Sequence, residues 1–215
     1  MVTNLTGMHI WEQIPLRERR DLLIAWLALS AAFTLVLVWG QRLVPLVMAE
    51  QFIISLLTVG VAFIVHEMAH KFTAMKFGYW AEFQMNSMML VVAVAMAALV
   101  GIVFAAPGAT VIYGNAISRE ENGKISLAGP LSNLVLIIPF ALLMLFAQNV
   151  DISILFLVGF AGIKFNAMIA AFNLLPLGPL DGAKILQWNP VIFAGMILVA
   201  FGVLYGCLSG FFLPF

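Results

Sequence analysis

Hydrophobic positions in this chain come in long runs, and polar positions are confined to the short breaks between them. Six runs are long enough to weigh against the roughly 20 residues a membrane-spanning helix needs. They are Leu22–Gly40, Phe52–His70, Met88–Ala106, Ser126–Ala147, Ile152–Leu174 and Val191–Leu213. The breaks read GQRLVP, KFGYWAEFQ, YGNAISREENGK, QNVD and PLGPLDGAK. One stretch stands apart: ATVIYG is rich in β-branched and aromatic residues and lies between Pro-Gly and Gly-Asn, which favours a short strand. The pattern predicts an all-α integral membrane protein, with residues 1–215 as a single transmembrane domain of five to six helices and a short β element.

Composition sharpens this picture. Of 215 residues, 64% are hydrophobic and 9% charged, with a mean hydropathy of +1.10; a soluble domain carries roughly 45–50% apolar and about 25% charged residues. The chain is expected to be multi-pass in a lipid bilayer, the cell membrane if the source is a prokaryote. Formal net charge is zero and the one basic cluster is the short RERR, so nucleic acid is not an expected partner. The single cysteine, Cys207, leaves no intramolecular disulfide to infer. The first run is as long as a full span, so it is read as retained and not as a signal peptide, and no stretch offers room for an added soluble domain.

Against this background the second run contains VAFIVHEMAHKF, in which His66, Glu67 and His70 interrupt apolar sequence. A charge at the centre of a membrane helix costs about 2.5–3.5 kcal/mol on insertion scales, so ionisable groups there point to function. The spacing is H-E-x-x-H. Residues four apart share one face of a helix, so both imidazoles can reach one metal ion, and the glutamate between them can take a proton from a water the metal acidifies. Zinc suits two nitrogens and an oxygen ligand with a fourth position left for water. The bland alternative is a pair of helix-end histidines bonded to neighbours, but with three His and seven Glu in the chain a chance match arises roughly once in a thousand.

Spacing alone does not supply the third ligand. The remaining histidine, His9, lies in the amino-terminal lead, and no histidine follows His70 as the metzincin extension would require. Asp181 closes NLLPLGPLDG, where Pro176, Gly178 and Pro179 break the helix that ends near Leu174. Non-helical backbone at membrane depth is tolerated where it lines a cavity. Pro, Gly and Asp are equally ordinary turn residues, and a plain turn reads that stretch just as well.

Together, HExxH and N-x-x-P-x(4)-D-G resemble the site-2 protease family of intramembrane zinc metalloproteases. The first block extends as HEMAHKFTAMKFG, with small residues at Ala74 and Gly78, and AGPLSN from Ala128 to Asn133 resembles the family's A-G-P-x-x-N. These blocks span about Val61 to Ala183, over half the chain. The resemblance implies one zinc ion held by His66, His70 and Asp181, with Glu67 as general base and Asn173 holding the substrate backbone or oxyanion. It implies regulated intramembrane proteolysis: hydrolysis of peptide bonds in a transmembrane protein substrate whose helix unwinds locally before attack. The chain departs from the family pattern at Met88–Ala106, an extra apolar run. The family's glycine-rich hairpin is represented there only by APGATVIYG.

Geometry constrains that extra run. If all six runs crossed, starting with Arg17, Arg19 and Arg20 in the cytosol, His70 and Asp181 would lie on opposite sides, about 30 Å apart. Zinc–ligand bonds of ~2 Å cannot bridge this, so the number of crossings between them must be even. Loop charge agrees. Six crossings put five Lys/Arg on the cytosolic side and four on the far side, whereas a returning Met88–Ala106 makes the counts eight and one, the positive-inside pattern. The expectation is therefore a re-entrant or shallow segment at about 88–106 and spans at about 22–40, 52–70, 126–147, 152–174 and 191–213. The site would lie near the cytosolic side.

A membrane metal transporter or sensor using the same ligands without hydrolysis is the alternative, since transport sites also sit on broken helices near the midplane. The lack of repeat symmetry, and a glutamate beside the first ligand, favour the peptidase. Lys164, central in the fifth run, is read first as one half of a structural ion pair and second as a site lysine. Glu82, Glu120 and Glu121 are read as solvated loop charges. The ATVIYG strand offers an edge on which an extended substrate could add by β-augmentation.

Overall fold

The computed structural model describes residues 13–103, 107–114, 116–150 and 152–211. His9 and the run ends at Ala106 and Leu213 lie outside the described residues. Five helices are long and apolar enough to cross a membrane. They are α1 (Leu16–Leu37), the continuous helix Pro45–Lys76, α5 (Arg119–Val150), α6 (Ser153–Asn173) and α8 (Pro190–Leu208). Between them lie α4 (Ser87–Val100), α7 (Asp181–Trp188) and two strands, β1 (Trp80–Met85) and β2 (Gly108–Tyr113). The protein is an all-α membrane protein with a small two-stranded sheet, as the run pattern predicts.

The element ends follow local chemistry. Helix Pro45–Lys76 starts with a proline in its first turn, where no amide is needed. It is built of α2 (Pro45–Ser55), a π segment (Leu56–Gly60) and α3 (Val61–Lys76). The wider π turn leaves carbonyls in need of donors, and the Trp26 indole of α1 donates to Leu56 O at 3.0 Å. Helix α5 begins about two turns before the apolar run at Ser126. Ser118 Oγ accepts from the Glu121 amide at 3.2 Å while a Glu121 carboxylate oxygen accepts from the Ser118 amide at 3.0 Å, a capping box. Glu121 is thus a capping residue and not a free loop charge.

Among the described residues of the apolar run at 88–106 the one helix is α4, whose 14 residues extend roughly 21 Å, short of the ~30 Å hydrocarbon core. Asn86 caps its start, accepting from the Met89 amide at 3.0 Å, and Gly101, with φ +73°, stops it. The two strands flanking it pair antiparallel, with Met85 opposite Gly108, so both ends of the segment are held side by side. Helix α4 packs on α1.

Helix α3 lies between α5 and the β1–β2 hairpin, and α5 packs along α6. Lys71, one of the five cytosolic charges in the loop count together with Arg17, Arg19, Arg20 and Lys76, is instead fully buried against Glu18 of α1. Lys164, expected first as half of an ion pair, meets no carboxylate among the described residues.

Candidate metal centre

The helical spacing of HExxH places His66 and His70 one turn apart on α3, and both rings are buried at 3% and 9% exposure. Their Nε2 atoms face each other at 3.0 Å. Asp181 arrives from the first turn of α7, with Oδ2 at 3.4 Å from His66 Nε2 and 3.1 Å from His70 Nε2. The broken stretch after α6 makes this possible. At Gly182 a Cβ would stand 2.1 Å from Leu174 O, so only glycine lets α7 start against the end of α6.

The other ring nitrogens decide what these atoms can do. His70 Nδ1 lies 2.8 Å from Ile125 O, and a carbonyl only accepts, so Nδ1 carries the proton. His66 Nδ1 lies 2.6 Å from Asn133 Oδ1. The Asn133 amide is oriented by Nδ2, which donates to Ala62 O at 3.1 Å and to Asn166 Oδ1 at 3.0 Å. Asn166 Nδ2 in turn donates to Gly162 O at 2.8 Å. Both imidazoles therefore present Nε2 lone pairs to each other and to a carboxylate.

Three acceptor groups converging in a buried space need a cation. Tetrahedral zinc with bonds of ~2.0–2.1 Å holds its ligand atoms about 3.3–3.4 Å apart, and the observed separations of 3.0, 3.1 and 3.4 Å match that cradle. The three residues could hold one metal ion, with a fourth position open. Helix α5 closes the floor: a Cβ at Gly129 would stand 2.3 Å from His70 Nε2 and 2.6 Å from His66 Nε2, so the glycine of AGPLSN is what lets α5 approach.

The centre opens on a cavity of about 460 Å³ lined by α1, α3, β2, α6 and the approach to α7. Glu67 lines it, 8% exposed, and its Oε2 accepts from the Thr110 amide and hydroxyl, each at 2.9 Å. Asn173 also lines it, at the end of α6, where its Nδ2 donates to Ile169 O at 3.0 Å. Lys184 stands at the rim, 3.9 Å from Asp181 Oδ1. The residues singled out from sequence thus share one cavity, whereas Glu82 is turned to the Trp80 indole at 2.8 Å. Asn166 carried no signal in the sequence, Thr110 only its place in ATVIYG, and Asn133 only its place in AGPLSN.

The hydrogen bond to His66 yields an expected result. Asn133→Leu removes the acceptor behind His66, and loss of such an outer partner lowers metal affinity by about 10–100-fold. Asn133→Asp keeps an acceptor at that position and should retain tighter binding than the leucine variant. Chelator competition on the two purified proteins measures this; equal affinities would assign Asn133 to packing alone.

A buried two-histidine, one-carboxylate centre with an adjacent glutamate, set among membrane-length helices, defines a membrane metalloprotein of the HExxH class. The chain is 40% identical over 187 residues, 86% of its own length and 92% of the relative's, to "Putative zinc metalloprotease MJ0611" of Methanocaldococcus jannaschii. It is 29% identical over 157 residues, 66% of its length and 70% of the relative's, to "Putative zinc metalloprotease YwhC" of Bacillus subtilis. No protein-family model matches the chain, and no solved structure matches it. The protein belongs to the family of these zinc metalloproteases, and its buried His66, His70 and Asp181 could hold a single metal ion.

Proposed function

We propose that this protein is an intramembrane zinc endopeptidase of the site-2 protease type, cutting peptide bonds of membrane-embedded helical substrates. The observation that carries the proposal is the acceptor-only cluster of His66, His70 and Asp181 beside Glu67, opening on a largely apolar cavity among spans. His66, His70 and Asp181 would hold the zinc, which supplies Lewis acidity to a water and to the scissile carbonyl. Glu67 would take the proton that an attacking water loses and pass it to the departing amide nitrogen, so that an amine and a carboxylic acid result. Asn173, at the cavity wall, donates to the developing oxyanion. The apolar lining keeps bulk water from competing for these contacts.

A helix hides its carbonyls in its own hydrogen bonds, so the substrate must be extended where it is cut. Ala109, Thr110 and Ile112 of β2 line the cavity, which supports docking of an unwound segment along that strand. Helix α4 is proposed to dip into the bilayer and return, and the loop charge bias supports a site near the cytosolic side.

The test is cleavage of a transmembrane peptide with a central helix-breaking pair by the zinc-loaded protein in lipid nanodiscs. Cleavage that disappears on chelation and returns with zinc supports the proposal; zinc-dependent metal uptake into vesicles without cleavage would replace it with transport. In the same assay Asn173→Ala should keep its zinc and lose about 10²–10³ in turnover, the usual effect of removing one oxyanion donor. Unchanged turnover would leave Asn173 as a helix-end residue bonded only to Ile169.

A further inference from the structure

One ion pair, Lys71 of α3 with Glu18 of α1, is buried on both sides at 0% and 2% exposure and takes no part in the metal centre. Desolvating two charges offsets most of what their attraction returns, so such a pair is weak evidence for stability alone. Its neighbours supply another role. Glu18 turns its second oxygen, Oε1, to the Phe83 amide of β1 at 2.9 Å. Phe83 lies opposite Thr110 of β2, and the Thr110 amide donates to Glu67 Oε2. A rung whose two amides both point outward is a non-hydrogen-bonded antiparallel pair, and each buried amide then needs an acceptor from outside the ribbon. This rung is met by a carboxylate at each edge, Glu18 on one side and Glu67 on the other. Lys71 follows Glu67 by four positions, one turn along the same helix. The contacts close into a ring: Glu67, Thr110, Phe83, Glu18, Lys71 and back through α3.

We propose that the buried Glu18–Lys71 pair is a positioning device for Glu67, resting on the role given to that residue above. By anchoring the Phe83–Thr110 rung to α1 and α3, the pair sets where Thr110 grips Oε2 of Glu67. The other oxygen, Oε1, has no partner among the described residues, and Glu67 lines the cavity. Freed of the grip, the carboxylate swings about its side-chain torsions, and a misplacement of about 1 Å lowers a rate by as much as 10²-fold.

The experiment uses the full zinc-loaded chain in nanodiscs, with the paired variant Glu18→Leu/Lys71→Met, which removes both charges and fills their space. Amide hydrogen exchange is read at Phe83 and Thr110, and turnover of the transmembrane peptide in parallel. The expected result is exchange at least tenfold faster at both amides, unchanged zinc stoichiometry and KM, and kcat lowered ten- to a hundredfold. Thr110→Val should lower kcat similarly and Thr110→Ser should not. Thr110→Val placed on the paired variant should add less than its own factor, because both act through Glu67. Wild-type exchange at Thr110 in the paired variant overturns the proposal whatever the activity, and so do kcat losses that multiply in full. A wild-type protein that cleaves nothing defeats the endopeptidase reading, while the exchange measurement still decides whether the pair holds the rung on Glu67.

Discussion

Glu67→Gln is expected to leave zinc bound and the fold intact while peptide cleavage falls by the 10²–10⁴ typical of a lost general base. The substitution preserves size, and its amide oxygen can still accept from the Thr110 amide that now meets Oε2. Its nitrogen then faces the cavity, where it donates and takes no proton. Glu67 is not among the three converging groups, so the metal cluster should be untouched. Metal analysis and single-turnover cleavage on one preparation measure both halves. A zinc-replete glutamine variant that cleaves at the wild-type rate would remove Glu67 from the mechanism and with it the proposed chemistry. A transporter or sensor, in contrast, would keep its metal function unaltered by this change.

Asp181→Ala should lose zinc by a larger factor than the about 10–100-fold that accompanies removal of an outer-shell partner. It deletes the only oxygen ligand of the cluster and leaves two Nε2 atoms, 3.0 Å apart, as the remaining donors. A two-nitrogen site lacks the third protein ligand of a catalytic zinc centre. Glu82→Ala is the control, because Glu82 is buttressed by the Trp80 indole on β1 and faces no part of the cluster. Zinc retained after dialysis against a chelator, measured for both proteins, decides the assignment. Full zinc in Asp181→Ala with loss in Glu82→Ala would reverse it.

The local signals were the legible ones. Apolar runs placed the membrane-length helices because a bilayer demands about 20 apolar residues in sequence, a requirement that needs no partner. HExxH was legible because i and i+4 meet on any helix. The Ser118–Glu121 capping box extends α5 beyond its apolar run, and the reading of Glu121 as a loop charge misses it because apolar pattern alone does not mark a cap. Gly101 ends α4 inside a run that apolar composition carries further, so the run length overstates the helix.

What sequence by itself determined is therefore the class of the protein, its apolar helices and a two-histidine motif with an acid between. The meeting of Asp181 with His66 and His70 needed a resemblance to anticipate it, since 111 positions separate His70 from Asp181. Only the tertiary structure decided which groups stand behind and beside that motif. Asn166 reaches His66 through Asn133, Thr110 grips Glu67 from a strand 43 positions away, and Glu18 neutralises Lys71 across 53. No periodicity links such residues. Each lies on a separate element, and the contact exists only because burial strips water from polar groups and leaves them to find one another.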